Sequence, residues 1–379
     1  MPELELQPTT GPTYRPHLLT QSGHTASLLG FLKLPVRFRG GLTEKLRLAD
    51  GGSLVLHWWS EYRLPMRSEK PVVLILHGIN NSSRTPYIQY IMRHLDASGF
   101  ESVCVNMRGH GSGNDLCSSR MYTARMDDDI ATAVQHIQLT RQPPALYAVG
   151  FSLGANQLLC FLEHSPTANL IRAAVSVSNP FDLSQVKEHF STGVSRLYTL
   201  VIVQPLKKLL WEGRHHVPIT QENFWRAMRA TSVTEFDEAV QVHEERFASV
   251  DEYYTTSSCV HHLHKIDIPL LVIHAIDDPL IPPHAFPKGK LDANPNVTMI
   301  ITQNGGHIGW AAGKTPFLHN WSDKTISRWL MGKEKARMLS SAAQQQARVS
   351  GADQGDFKDE SSLMKASVSL DGEYTNSRL

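Results

Sequence analysis

Cysteine is scarce. The chain has four in 379 residues, Cys104, Cys117, Cys160 and Cys259. None forms a C-x-x-C pair, which argues against a disulfide scaffold or a thiolate zinc centre. Cys104 and Cys160 lie in apolar strand or helix patterns and read as reduced, buried thiols of an intracellular protein. An excess of one charge is also missing. Lys and Arg total 37 and Asp and Glu 36, a net charge of +1, so nothing in the balance calls for nucleic acid or an anionic partner. Long hydrophobic runs are absent as well. Residues 1–23 are polar and Pro-containing, without the apolar stretch of a secretory signal. The run Leu197 to Leu206 is about half the length of a membrane span and contains Gln204 and Pro205. No transmembrane helix and a cytoplasmic location are expected. No internal repeat is visible.

What is present is a sizeable apolar fraction, 41% against 19% charged, enough for a globular core. Residues 1–39 read as an N-terminal arm with few helix or strand signals, its middle, Leu28 to Leu32, apolar enough to pack on a core. Lys45 to Leu48 and Leu54 to Trp58 flank Ala49-Asp50-Gly51-Gly52 and predict a β-hairpin. Strand and helix patterns then alternate. The strands are Val72–Leu76, Ser102–Asn106, Ala145–Val149 and Ala173–Ser178; the helices are Pro86–Ala97, Asp127–Leu139 and Ala155–Glu163. Continuously apolar strands in this rhythm predict an α/β fold, a mostly parallel sheet with helices on both faces.

The rhythm stops at residue 181 and resumes with strands Leu270–His274 and Thr298–Ile301. The core is therefore assigned to 40–180 and 266–333, with 181–265 as a helical cap insertion. Pro316–Leu330 predicts a closing amphipathic helix. From 334 to 379 the composition turns to Ser, Ala, Gln, Asp and Lys, and this tail is expected to be disordered.

The segment that carries chemistry is Gly150-Phe151-Ser152-Leu153-Gly154, a G-x-S-x-G between a strand and a helix. Such a turn exposes a serine hydroxyl, and the flanking glycines remove β-carbons that would clash. By itself the motif is common and equally reads as a Gly-rich turn. A nucleophilic serine needs a base, and the base an orienting acid. In open parallel sheets these gather at the carboxyl ends of strands. Leu270–His274 is followed by Asp277-Asp278-Pro279, and Thr298–Ile301 by Gly305-Gly306-His307. Asp278 is preferred over Asp277 because it abuts the Pro279-Leu280-Ile281-Pro282 turn. Three placements at three strand ends assign Ser152 as nucleophile, His307 as base and Asp278 as orienting acid. Two oxyanion donors are also required. The N–H of Leu153, after the nucleophile, and that of Ile79, in the His77-Gly78-Ile79-Asn80 turn, are assigned. His77 reads as a residue that shapes this turn.

Other features are weaker. His110 and Asp115 make an H-x-x-x-x-D, as do His262 and Asp267; with 19 histidines such matches arise by chance. His215, His216, His261, His262 and His264 lack Cys or Glu partners at ligand spacing and read as solvated cap residues, so no metal or cofactor is expected. Asp127-Asp128-Asp129 suits a helix start. Leu197–Trp211 with Lys207 and Lys208 fits a membrane-surface helix no better than a cap helix lining an acyl pocket.

Tyr14-Arg15-Pro16, Gly23-His24-Thr25, Asp50-Gly51-Gly52, His77-Gly78, Asn106-Met107-Arg108-Gly109, Gly150 to Asn156, Asp277-Asp278-Pro279 and Gly305-Gly306-His307-Ile308-Gly309-Trp310 occur in one order. With these motifs, residues 14–332 resemble the α/β-hydrolase-domain esterase/lipase family, which includes animal α/β-hydrolase-domain phospholipases, fungal medium-chain ethyl ester synthases/esterases and bacterial YheT-type hydrolases. The resemblance implies the α/β-hydrolase fold and a serine hydrolase acting on carboxylic esters of acyl chains, with Ser152, Asp278 and His307 as triad and no cofactor. The expected partner is a small-molecule acyl ester or lipid. Two departures stand out: the N-terminal membrane anchor of many animal relatives is lacking, and the serine-rich C-terminal extension lies outside the family core. Two other readings stay open, an alcohol acyltransferase using the same triad and a non-catalytic scaffold. The ending Ser377-Arg378-Leu379 approximates the Ser-Lys-Leu peroxisomal address and fits a PDZ-type ligand; chance produces such endings more often than either.

Overall fold

The computed structural model describes residues 13–32, 41–59, 68–242, 247–313 and 320–349. Helix α1 (Gly23–Phe31) precedes a hairpin of β1 (Thr43–Arg47) and β2 (Ser53–Trp58). Strands and helices then alternate as β3 (Val72–Leu76), α2 (Pro86–Ala97), β4 (Glu101–Asn106), α3 (Asp127–Arg141), β5 (Leu146–Phe151), α4 (Leu153–His164) and β6 (Ile171–Val177). Between β6 and the next strand lie α5 (Leu183–Phe190), α6 (Ser195–Gly213), α7 (Gln221–Arg229), α8 (Val233–Val240) and α9 (Val250–Ser257). The order ends with β7 (Leu270–Ala275), α10 (Lys288–Asp292), β8 (Val297–Thr302) and α11 (Trp321–Val349). Compact packing divides the chain into Met1–Trp329 and Leu330–Leu379. No helix among the described residues is long and apolar enough to cross a membrane.

The sheet has the order β1-β2-β4-β3-β5-β6-β7-β8. Strand β2 runs antiparallel to both neighbours, and the pairs from β4 to β8 are all parallel. Strands β3 and β5 are buried at every residue, so they lack the in–out alternation of a half-solvated sheet. From β3 the chain crosses one way to β4, then returns across β3 to β5. With right-handed crossovers, that reversal puts α2 and α3 on opposite faces and opens a crevice beyond the carboxyl ends of β3 and β5. The turn after β3 and the serine after β5 flank this crevice.

The segment between β6 and β7 builds a small core of its own. Leu206, Leu210, Phe236 and Ala239 pack together in it, with Leu116 and Met121 from the main body. Side-chain caps start its helices: Asp182 accepts from the N–H groups of Ser184 and Gln185, and Ser232 from that of Glu235.

The structure departs from the sequence expectations at both ends. The arm contains α1, and it packs the other way round. Gly23, Ala26, Ser27 and Gly30 are its buried residues, while Leu28 and Leu32 stay more than half exposed. Small residues at helical spacing allow the close approach: a β-carbon on Gly30 would press on Ile308 and Gly309. The expected closing helix appears as α11, although it begins at Trp321; residues 316–319 of the expected span lie outside the described residues. The tail assigned as disordered from 334 is helical as far as Val349. Lys, Glu, Ala, Arg, Met, Leu and Gln fill this stretch, and all are strong helix formers. The tripeptide Ser377-Arg378-Leu379 lies outside the described residues, as does the rest of 350–379.

Candidate active site

Ser152 sits between β5 and α4 with φ 52° and ψ −124°, a backbone state that a non-glycine residue holds only under constraint from its surroundings. Gly150 and Gly154 supply the constraint. A β-carbon at 154 would overlap the carbonyl oxygens of Leu76 and His77, and one at 150 would meet the start of α4. The turn therefore needs glycine on both sides, and the serine hydroxyl is pushed out at the end of the sheet.

The hydroxyl meets a histidine there. His307 Nε2 lies 2.9 Å from Ser152 Oγ, and His307 Nδ1 lies 2.8 Å from Asp278 Oδ2. Asp278 is buried, and its other oxygen accepts the N–H groups of Leu280 (2.9 Å) and Ile281 (3.2 Å). Those donors belong to the Pro-Leu-Ile-Pro turn. They pin one carboxylate oxygen and leave the other to orient the imidazole. Asp277 has a different task. It accepts the N–H of Gly306 (2.8 Å) and the side-chain amide of Asn304, and so shapes the loop that carries His307. Burial pushes its carboxyl up, and the Gly306 N–H opposes that shift.

A third support comes from α1. Ser27 Oγ accepts the N–H of His307 (2.7 Å) and donates to the carbonyl of Gly23 (2.6 Å). Gly305 and Gly306 take positive φ in this loop. A β-carbon on Gly306 would strike Gly23 and Ser27. Sequence reasoning missed this contact. The signal was the stripe Gly23, Ala26, Ser27, Gly30, overlooked in favour of the leucines beside it.

The turn after β3 faces the serine closely: a β-carbon on Gly78 would stand 3.1 Å from that of Ser152. His77 is fully buried. Its Nε2 accepts the N–H of Met107 (3.3 Å), which leaves the ring proton on Nδ1, 2.8 Å from the carbonyl of Gly78. Burial pulls the imidazole down to about 3, with His110 adding to the effect, so the ring stays neutral. Tyr87 OH accepts the N–H of Gly78 (3.0 Å), and Asn81 donates to the carbonyl of Ile79 (2.8 Å). Asn80, at φ 59°, donates to the carbonyl of Ile202 on α6 (2.7 Å), a link between this turn and the helices above it.

Those helices roof a pocket with Ser152 and His307 in its wall. Leu183, Val186 and Phe190 of α5, Ile202 and Leu206 of α6, and Phe236 of α8 line it. A pocket of this apolar character suits small organic molecules. Ile79 and Leu153 are also in the wall, so all five sequence-assigned residues meet here or directly beneath. Of the two readings of Leu197–Trp211, the pocket-lining one describes the inner face of α6; Val194, Leu197 and Val201 remain exposed on its outer face.

The weaker candidates do not join the site. His110 is buried against Tyr122, with ring centroids 4.9 Å apart, and Asp115 is exposed on the following loop. His215 and His216 are exposed. His262 instead meets Glu163 and His164. Lys265 Nζ holds the same Glu163 oxygen at 3.1 Å, a charge that disfavours a cation there. The run Asp127-Asp128-Asp129 does more than start a helix. Asp129 takes Arg108 bidentately (2.7 and 2.8 Å), Arg120 pairs with Asp128 and Arg125 with Asp127. Arg108 also reaches Asp50 (2.6 Å), so an ion network centred on the buried Arg108 ties the β-hairpin turn to the loop after β4.

A family model described as the alpha/beta hydrolase fold matches residues 71–208. The embryogenesis-associated protein EMB8 of Picea glauca is 30% identical over 77% of this chain and 66% of its own length. The chain belongs to the α/β-hydrolase-domain esterase/lipase family. A second relative in it, phospholipase ABHD3 of Homo sapiens, is 27% identical over 85% of this chain and 80% of its own. The α/β-hydrolase thus spans about two thirds of the length of the spruce relative and four fifths of the human one. Among solved structures, 2,6-dihydroxy-pseudo-oxynicotine hydrolase superposes with a TM-score of 0.52, over 77% of this chain and 68% of that one at 14% identity, a likeness of fold.

Proposed function

We propose that this α/β-hydrolase is a serine ester hydrolase working through an acyl-enzyme on Ser152. The observation that carries the reading is the chain of contacts from Ser152 Oγ through His307 to Asp278, 2.9 and 2.8 Å, at the wall of an apolar pocket. His307 Nε2 takes the serine proton as Oγ attacks the acyl carbonyl. Asp278 holds the proton on Nδ1 and stabilises the imidazolium that forms. The alcohol leaves with a proton from His307. Water, deprotonated by the same nitrogen, then releases the acid.

The oxyanion donors follow from peptide geometry. The carbonyl of Gly78 and the N–H of Ile79 belong to one planar trans peptide, in which the two groups point opposite ways. His77 holds the carbonyl on its own side, so the N–H is turned away from His77 towards the crevice. The second donor is Leu153 N–H, in the first turn of α4, where no intrahelical acceptor exists. Two such donors are each worth about 2.7–4 kcal/mol of transition-state stabilisation in serine hydrolases.

The substrate class supported best is an ester of an acyl chain. The pocket wall is mostly aliphatic and aromatic, and one relative is named a phospholipase. A fluorophosphonate probe tests the reading. Wild-type protein is expected to label, and Ser152→Ala is not; labelling that survives Ser152→Ala overturns the nucleophile assignment. A series of p-nitrophenyl esters and phospholipids, with and without an added alcohol, then reads out chain length, head group and hydrolysis against acyl transfer.

A further inference from the structure

The pocket wall is apolar except in one place. Asp237 and Thr234 of α8 and Tyr254 of α9 all face the cavity. Tyr254 OH donates to Asp237 Oδ2 at 2.9 Å, and the Thr234 hydroxyl bonds to Tyr254. The second carboxyl oxygen, Oδ1, has no hydrogen bond to any described residue, and it is not sealed in the protein: Asp237 keeps accessible surface although its neighbours Phe236, Ala239 and Val240 are buried. The residue lines the pocket. Lys187 also lines the cavity, but its ammonium sits on Asp251 at 2.5 Å. Asp237 therefore faces the cavity without a counter-cation among the described residues.

A carboxyl so placed loses hydration without gaining a charge partner. Burial pushes it up to about 7, with the Tyr254 hydrogen bond opposing the shift. It passes between acid and carboxylate close to neutrality. A second carboxylate or a phosphate is unwelcome beside it. A cation would have to be drawn into an aliphatic wall, where desolvation is expensive. A neutral hydroxyl meets neither objection. It accepts from the acid form, donates to the carboxylate form, and carries little desolvation penalty once bonded.

We propose that Asp237, supported by Tyr254 and Thr234, is a recognition site for a hydroxyl on the part of the ester that enters the pocket, so that the enzyme prefers hydroxylated esters to their deoxy counterparts. The inference rests on the ester-hydrolase reading above and deepens it. A hydroxyl on the acyl chain and one on the alcohol part offer the same chemistry, and the two are separated by experiment.

The full chain is assayed on two sets of substrates. In one, p-nitrophenyl esters carry a hydroxyl moved along the acyl chain, each against its deoxy partner. In the other, glycerol esters are set against propyl esters of the same acid. At least one hydroxylated ester is expected to exceed its partner in kcat/KM by about tenfold, the size of one good net hydrogen bond. Asp237→Leu is expected to bring that ratio near one, and Asp237→Asn, whose amide both donates and accepts, to keep most of it. The set that shows the ratio identifies which part of the ester carries the hydroxyl. A ratio near one at every position in both sets of wild-type data overturns the proposal. So does a ratio that persists in Asp237→Leu, or a stronger preference for a trimethylammonium ester. Fluorophosphonate labelling of Ser152 is scored in parallel. Failure to label wild-type protein condemns the ester-hydrolase reading itself; normal labelling with no hydroxyl preference condemns only the Asp237 site.

Discussion

The end of the sheet and the helices above it are built by different rules. Ser152 directly follows β5, Asp278 and His307 lie in the loops after β7 and β8, and backbone hydrogen bonds hold the acid and the base. The strands fix where these residues stand, so position in the chain predicts position in space. Helices α5 to α9 obey no such constraint. They meet through a core of their own, and the residues facing the cavity are scattered from Leu183 to Tyr254. On the proposed reading, chemistry is specified by the sheet and selectivity by the roof. The two can therefore change independently, and mutations should sort accordingly.

The largest effect is expected at the sheet end. Ser152→Ala should lower kcat roughly 10⁶-fold, as for other serine triads, in folded protein with an unchanged circular dichroism spectrum. Retention of more than a small residue of activity would break the division at its root. His77 comes next. His77→Phe fills the space but cannot hold the Gly78 carbonyl, and kcat is expected to fall about 10²–10³-fold with KM altered far less. His77→Asn restores a donor near the Nδ1 position and should recover part of the loss. A fall in kcat accompanied by a comparable rise in KM, without recovery by Asn, would make His77 only a packing residue.

In the roof, Val186→Phe narrows the pocket. It is expected to shift kcat/KM for long against short acyl esters by about tenfold or more, the range that pocket size can supply. No shift in chain-length ranking would show that α5 does not bound the acyl site.

The smallest and most diagnostic contrast is in pH. Buried histidines belong to the sheet and the turn at its end: burial draws His77 to about 3, and His57 and His274 to about 4. An unfolded histidine takes its proton near 6.5. As pH falls from about 6.5 to 4, the unfolded chain gains protons that the folded chain refuses, and stability is lost. The roof has the opposite sign. Asp237 is pushed up to about 7, whereas an unfolded aspartate releases its proton near 3.9. Its contribution is lost as pH rises from about 4 to 7. Melting temperature against pH should show both arms; His274→Phe is expected to flatten the acid arm and Asp237→Asn the neutral one.

The same contrast explains what could be read in the sequence. Strand β3 is five apolar residues closed by His77-Gly78, so its end could be placed to the residue. The choice of Asp278 over Asp277 rested on the following Pro-Leu-Ile-Pro turn, whose N–H groups turn out to fill one carboxylate oxygen. Asp237 was invisible for the converse reason. In Val-Thr-Glu-Phe-Asp-Glu-Ala-Val it sits between acids and reads as one more solvated helix charge; only the packing of α9 against α8 turns it inward. Helix α1 misled because leucines are weighed more readily than glycines, and a close contact between backbones needs the glycines. Arg108 and Asp129 lie 21 residues apart in sequence, and no local pattern announces an ion pair at that distance.

The seam between Ser27 and His307 joins positions 280 residues apart. A growing chain presents the turn at Ser152 well before Asp278 and His307 have left the ribosome. The first helix must wait for that loop before Ser27 has its partner. On the proposed reading, Ser152 therefore has no base until His307 is made and the seam with Ser27 can close.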